Sequence, residues 1–189
     1  MAGEFAAWHT GGAAAKSTVV CTEDARRVMF AGSCSVATRE QVQCYLKSGG
    51  KSLMISPAQL ADGRQSVKSL WKFIEENFED DVLLYSAGSG GIVEQASPED
   101  ATVLENTMAT LAKYAVDSGC TRLISAGGET SGAITHALQY QSFYIGENIA
   151  PGVPVMSPIE NPALKLVLKS GNFGAADFFL TTLKGGSRT

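Results

Sequence analysis

The chain alternates short apolar runs with longer stretches in which apolar residues recur every three or four positions. The runs predict strands at residues 27–31, 51–56, 81–85, 122–126 and 163–168. The longer stretches predict helices at residues 36–46, 66–78, 98–118, 133–139 and 175–183. Strands that alternate with helices are typical of a parallel sheet with right-handed crossovers.

The pattern changes between residues 143 and 162. Two short extended pieces, 143–149 and 153–156, flank a Pro-Gly pair, and the prolines of this segment argue against a helix. We therefore predict hairpin strands at the edge of the sheet. The fold class that follows is α/β: a three-layer domain with a mixed, largely parallel sheet flanked by helices.

The segment AGGETSG, residues 126–132, joins a predicted strand to a predicted helix. Gly127 and Gly128 permit positive φ and have no Cβ atom to keep an anion away. The helix expected to begin near Thr130 adds the positive end of its dipole. The pattern therefore predicts a phosphate-binding turn, and the alternative is a glycine turn without a ligand.

Three other strand-to-helix loops are equally rich in glycine and hydroxyl groups. They are GSCS at 32–35, SAGSGG at 86–91 and KSGNFG at 169–174. Loops at the carboxyl ends of parallel strands meet at one edge of the sheet, where ligands bind, so we expect one composite phosphate site. Ser33 and Ser35 can each cap the following helix or donate a hydroxyl to a bound anion.

Length and composition favour one globular domain. The 189 residues are 44% hydrophobic and 18% charged, which is the balance of a soluble protein. A net charge of −4 without a basic stripe gives no sign of nucleic-acid or anionic-membrane binding. No run approaches the roughly 20 apolar residues of a membrane span, and no signal peptide is evident. The four cysteines are widely spaced and lack a histidine cluster, which argues against zinc and predicts reduced thiols and a cytoplasmic location.

Four segments carry a family resemblance in their order and spacing: GSCSVATREQV, AGGETSGAITHALQ, IGENIAPGVPVM and LKSGNFGAADFF. They resemble the C-terminal nucleotide-binding domain of the four-carbon acid sugar kinases. The resemblance implies a kinase of threonate, erythronate or 3-oxo-tetronate type that uses ATP and Mg²⁺. The implied ATP contacts are a serine of GSCS, with Ser33 preferred to Ser35, and Gly127, Gly128, Glu129, Thr130 and Gly171.

In the resembled family an N-terminal domain with an Asp-rich ADDxTGA segment binds the acid sugar, and this sequence does not contain that segment. We interpret residues 1–25 as a flexible lead-in or linker remnant and residues 26–189 as the nucleotide-binding domain. The four-carbon acid sugar would bind through the other domain, so we expect this chain alone to bind ATP without phosphorylating the sugar. A homo-oligomer is compatible with the sequence.

Two charged residues have two interpretations each. Glu129 either orients a magnesium ion through water or favours the helix N-terminus. Lys169 either neutralises phosphate charge or extends from the sheet edge into solvent. Asp177 and His136 fit structural roles better than the role of a general base, so the sequence predicts neither a catalytic residue nor a set of protein metal ligands.

Two other functions are open at this point. A non-catalytic nucleotide-binding or regulatory module would use the same loops without an acceptor. A hydrolase would use Cys34 as its nucleophile, because this thiol lies at a predicted helix N-terminus, with His136 as a distant base.

Overall fold

A computed structural model describes residues 26–86, Gly88 and residues 97–182, and these residues form one seven-stranded sheet. The predicted lead-in at 1–25 lies outside the described residues. The strands are β1 (Arg27–Ala31), β2 (Lys51–Ile55), β3 (Val82–Ser86), β4 (Arg122–Ala126), β5 (Phe143–Ala150), β6 (Val153–Pro158) and β7 (Lys165–Lys169). The described helices are α1 (Val36–Lys47), α2 (Pro57–Ala61), α3 (Val67–Glu76), α4 (Pro98–Asp117), α5 (Gly128–Leu138) and α6 (Phe178–Thr181).

The strand order is β2-β3-β1-β4-β7-β6-β5. The first five strands in that order are parallel, whereas β6 runs antiparallel to β7 and β5 runs antiparallel to β6. The β5–β6 pair is the hairpin that the proline-rich segment predicts. The mixed, largely parallel sheet confirms the predicted fold class.

Side chains alternate between the two faces of each strand, so one strand serves two cores. In β1, Val28 and Phe30 join a core with α3, α4 and α5, while Met29 and Ala31 join a second core with α1 and α6. Both residue sets of β1 are fully buried. A central strand apolar on both faces therefore produces the three layers.

Local signals fix where the long helices begin. Ser97 accepts a hydrogen bond from the Asp100 amide, and the Asp100 carboxylate accepts one from the Ser97 amide, which is a capping box with Pro98 as the first helical residue of α4. Ser66 and Ser69 form the equivalent box at α3. Within the described ranges, no helix has the length and apolar character that a membrane crossing would require.

Two short helices differ from the sequence expectation. The pattern gives no signal for α2, because five residues are too few to show a helical period. The last helix is shorter than the predicted 175–183: its described part is α6, and Leu183 lies outside the described residues. Asp177 is the N-cap residue of α6, and its side chain makes no capping bond.

Candidate functional site

Three of the four glycine-rich loops meet at the carboxyl edge of the sheet, because β4 lies between β1 and β7. The Gly32 and Ser33 amides donate to the Ala126 carbonyl at 3.1 and 3.2 Å. The Gly127 amide donates to the Lys169 carbonyl at 3.0 Å. The central turn is therefore tied by backbone hydrogen bonds to the loop on either side of it.

The two glycines of the central turn have different conformations. Gly127 is buried and has φ of 132°, as predicted. Gly128 is not a positive-φ residue and does not use the freedom that a glycine permits: it is the first residue of α5. A Cβ atom at Gly128 would meet no heavy atom within 4 Å. Gly127 thus shapes the turn, and Gly128 leaves open space in front of it.

The N-terminus of α5 offers unpaired backbone donors. The Ser131 amide makes the first helical bond, to the Gly127 carbonyl at 2.9 Å, so the amides of Gly128, Glu129 and Thr130 have no carbonyl partner within the helix. The N-cap residue is a glycine and provides no capping side chain. The helix begins two residues earlier than expected, which places Gly128 and Glu129 exposed at its positive end.

The buried Thr130 side chain joins the β4 turn to the β1 loop. A Cβ atom at Gly32 would overlap the Thr130 hydroxyl, and one at Gly127 would lie 3.1 Å from it. The hydroxyl therefore sits where the two loops touch. Close packing of this kind requires glycine at both positions.

Ser33 and Ser35 face the third loop. Ser35 caps α1 by accepting from the Thr38 amide at 3.3 Å, and the Ser33 hydroxyl accepts from the Ser35 amide at 3.2 Å. A Cβ atom at Gly171 would overlap the Ser33 hydroxyl and lie 2.8 Å from that of Ser35. The two serine hydroxyls therefore take part in capping α1 and contact Gly171 at the same time.

Lys169 is buried behind the third loop. The residue is 1% exposed, and its ammonium donates to the Thr38 hydroxyl, the Gly171 carbonyl and the Ser170 carbonyl at 3.1, 3.2 and 3.3 Å. Burial lowers the pKa of Lys169 to about 8. The side chain does not extend into solvent, which corrects that interpretation. Its three protons are all donated within the protein, so any effect on a phosphate would act without direct contact.

Two residues of α1 that the sequence did not single out hold the third loop. The Thr38 hydroxyl donates to the Gly171 carbonyl at 2.8 Å. The Gln41 amide nitrogen donates to the carbonyls of residues 173, 174 and 175 at 2.9 to 3.0 Å. Both residues are fully buried. Polar residues one turn apart on the buried face of α1, beside Val42 and Tyr45, are the signal that could have indicated them.

The fourth loop, at 86–91, is described only at Ser86 and Gly88. The Ser86 hydroxyl donates to the Gly32 carbonyl at 3.4 Å, and a Cβ atom at Gly88 would touch the Cys34 sulfur. These two residues lie beside the β1 loop, and the remainder of the predicted loop lies outside the described residues.

Among the residues that the structure describes, Cys34 and His136 are not arranged as the nucleophile and base of a cysteine hydrolase. Cys34 is exposed, His136 is exposed on α5, and no hydrogen bond joins them or orients either one. Nor does any group of three His, Cys, Asp or Glu side chains in the described ranges suit a metal ion. Glu129, exposed in the first turn of α5, is the carboxylate nearest in sequence to the turn glycines.

Two open clefts flank α5. One, of about 870 Å³, runs along the helix to Tyr140 and has Leu168 in its lining; the other, of about 530 Å³, lies between α4 and α5 and includes Glu129. Both include Gly132 and His136. A ligand anchored at the first turn of α5 would therefore have open space beside it.

Comparison with known proteins adds three findings. The family model "Nucleotide-binding C-terminal domain" matches residues 28–179. The 3-oxo-tetronate kinases of Pseudomonas savastanoi pv. phaseolicola and Cupriavidus necator are each 38% identical, over 162 and 166 residues, or 83% and 85% of this chain. A solved Haemophilus influenzae structure matches 89% of the chain with a TM-score of 0.76 and 32% identity. The chain spans 38% of the length of each kinase and 42% of the solved chain.

Proposed function

Because the chain belongs to the nucleotide-binding C-terminal domain family, we propose that it binds ATP where the β1, β4 and β7 loops meet. The chain then provides the phosphoryl-donor side of a kinase whose acceptor is a four-carbon acid sugar. The names of the kinase relatives favour 3-oxo-tetronate as the acceptor, with threonate and erythronate as the other members of the same chemical class.

One observation carries the proposal: the first turn of α5 is open, uncapped and held in place by both neighbouring loops. The amides of Gly128, Glu129 and Thr130 precede the first helical bond, and no side chain covers them at Gly128. Amides at a helix N-terminus bind phosphate because the helix dipole favours negative charge there. A triphosphate matches this geometry better than an apolar ligand does.

The remaining contacts follow from the loop geometry. Ser33, Ser35 and Gly171 lie together on the β7 side of the turn and supply hydroxyl and backbone groups. Mg²⁺ bound with ATP would neutralise phosphate charge, and Glu129 is placed to hold it through water, since Mg²⁺ usually keeps several waters and few protein ligands. In the part of the chain that the structure describes, no group of three His, Cys, Asp or Glu side chains could form a closed metal site, so Mg²⁺ would be carried by the nucleotide.

The acceptor is assigned to the part of the relatives that this chain does not match. Phosphoryl transfer needs the acceptor hydroxyl held in line with the γ-phosphate. Glu129 in the α5 turn is assigned to Mg²⁺, and the other two candidates lie apart from that turn: Asp177 precedes α6, and His136 lies two turns along α5. The same facts suit a non-catalytic nucleotide-binding module, the second candidate, which turnover measurements distinguish from a kinase.

We expect Gly128→Ala to weaken ATP binding about tenfold without weakening the fold. The added methyl group would enter the open space before the first-turn amides, and one impaired hydrogen bond to a charged group is worth roughly that factor. The backbone carries no strain at this position, so the free energy of unfolding should change by less than about 1 kcal/mol. Calorimetric titration with ATP, with and without Mg²⁺, and a melting curve measure both quantities.

Gly132→Ala is the matched control for this substitution. Gly132 lies one turn further along α5 and is equally open, so the same methyl group is added beyond the first-turn amides. The control should bind ATP as the wild type does. A loss confined to Gly132→Ala would move the ligand into the clefts beside α5 and contradict the proposed site.

We also expect ATP to protect Cys34 from alkylation. This thiol is exposed between Ser33 and Ser35, so a nucleotide at the proposed site would cover it. Saturating ATP should slow its reaction with a maleimide at least about fivefold, as a reagent reaches only the unliganded fraction. Cys120 is the internal control, because it is buried and its pKa is raised to about 12. Equal Cys34 rates with and without ATP would place the nucleotide elsewhere.

A further inference from the structure

Lys169 is a buried cation without an anionic partner. The residue is 1% exposed, and the ion pairs of the described residues involve Arg26, Arg27, Arg64, Lys72 and Lys113 but not Lys169. Its neighbours are hydroxyl and carbonyl oxygens and the Phe178 ring, 5.6 Å from the ammonium. An isolated buried charge is costly unless something compensates it. None of the ion pairs that the described residues form therefore neutralises the charge of Lys169.

The ammonium also sets the direction of two peptide groups. It donates hydrogen bonds to the Ser170 and Gly171 carbonyls, at 3.3 and 3.2 Å. In a planar trans peptide the N–H points opposite to the C=O, so the amides of Gly171 and Asn172 point away from Lys169. The Lys169 carbonyl meanwhile accepts from Gly127, which brings this loop against the start of α5.

Thr38 completes the arrangement. Its hydroxyl donates to the Gly171 carbonyl at 2.8 Å and accepts from the Lys169 ammonium at 3.1 Å. Because Thr38 belongs to α1, which Ser35 caps, the same helix positions the serine hydroxyls and the lysine. The loop is thereby fixed from behind by a positive charge.

We propose that Lys169 is a positioning residue of the nucleotide site whose counter-charge is the bound triphosphate. It holds the peptides of residues 170–172 with their amides directed away from the ammonium and toward the phosphates, and its charge acts through those peptides without direct contact. This inference rests on the proposed function, and it adds a buried cation that interacts electrostatically with the bound triphosphate.

A proton should be taken up when the triphosphate binds. With the pKa of Lys169 near 8 in the free protein, an anion nearby stabilises the charged form and raises that pKa. The groups packed around the ammonium are Thr38 of α1, Ser170 and Gly171 of the loop and Phe178 of α6, and none of them titrates near pH 8.5. Uptake by the wild type that Lys169→Met abolishes would therefore report Lys169.

The test is calorimetric titration of the chain with Mg²⁺-ATP at pH 8.5 in two buffers that differ in ionisation enthalpy. We expect the wild type to take up roughly half a proton per ATP. Lys169→Met should take up none and bind roughly tenfold more weakly, the size expected for one charge acting across a peptide. Lys165→Met is the matched control: this lysine lies at the other end of β7, burial also lowers its pKa, and its ammonium bonds to Ser157 and Pro162. The control should match the wild type in both quantities.

If Lys169→Met does not fold, the inference is tested by proton uptake in the wild type and by ATP binding and proton uptake in Thr38→Val. Thr38→Val keeps the charge but removes the hydroxyl that holds it, so we expect weaker ATP binding with proton uptake retained. ATP binding without proton uptake by the wild type overturns this inference and leaves the proposed function standing. No ATP binding by the wild type at any pH overturns the proposed function itself.

Discussion

Replacing Gly127 by alanine is expected to destabilise the folded chain by about 2–6 kcal/mol. At φ of 132° and ψ of 134° the residue is in a conformation that a side chain makes unfavourable by about 1–3 kcal/mol. The new Cβ atom would also lie 3.1 Å from the Ser33 amide nitrogen and from the Thr130 hydroxyl, and overpacking adds about 1–3 kcal/mol. Urea unfolding at constant pH measures the loss.

The neighbouring residue provides the control. Gly128→Ala adds the same methyl group one position later, where the backbone is helical and the space is open, so its free energy of unfolding should stay close to that of the wild type. The two variants together distinguish the role of Gly127, which shapes the turn, from the role of Gly128, which leaves room for a ligand. A Gly127→Ala chain as stable as the wild type would contradict the role given to this turn.

The largest effect on activity is expected when the part of a relative that would bind the acid sugar is added to this chain. We expect the 189-residue chain alone to release ADP from ATP no faster with 3-oxo-tetronate, threonate or erythronate than without them. Adding the unmatched part of the Pseudomonas savastanoi kinase, fused or as a second chain, should raise the rate by roughly a thousandfold or more, because positioning the acceptor contributes that much. A coupled ADP-release assay measures both rates.

The control for that assay is the same fusion carrying Gly128→Ala, which should lose activity in proportion to its weaker ATP binding. Rapid turnover by the 189-residue chain alone would show that the acceptor site has been misplaced. A fusion that binds ATP and acid sugar without turnover would favour the non-catalytic module.

Most elements of the fold are predictable because their signals are local. The apolar runs of β1 and β4, the capping box at Ser97 and the prolines around the β5–β6 hairpin each act within a few residues. The placement of β4 between β1 and β7 follows from how the strands pack into the two cores, and no local pattern encodes it. The convergence of the loops could be expected from a parallel sheet, but the partners of each loop could not.

The direction of the Lys169 side chain could not be predicted from the sequence. A lysine at the carboxyl end of a strand, inside a glycine-rich loop, has the pattern of a phosphate ligand. Its actual direction depends on Thr38, 131 residues earlier, and on the carbonyls of its own loop. Gly128 is similar, since only the course of the backbone shows that positive φ belongs to Gly127 alone.

The most direct test of the nucleotide site is an ATP titration of the ¹⁵N-labelled chain followed by its backbone amide chemical shifts. We predict that the largest shifts occur together at residues 127–130, Ser33 and Gly171, in the three loops that meet at one edge of the sheet. Strand β2, at the far side of the sheet, should remain unchanged. No shifts at saturating Mg²⁺-ATP, or shifts that leave residues 127–130 unaffected, would contradict this prediction.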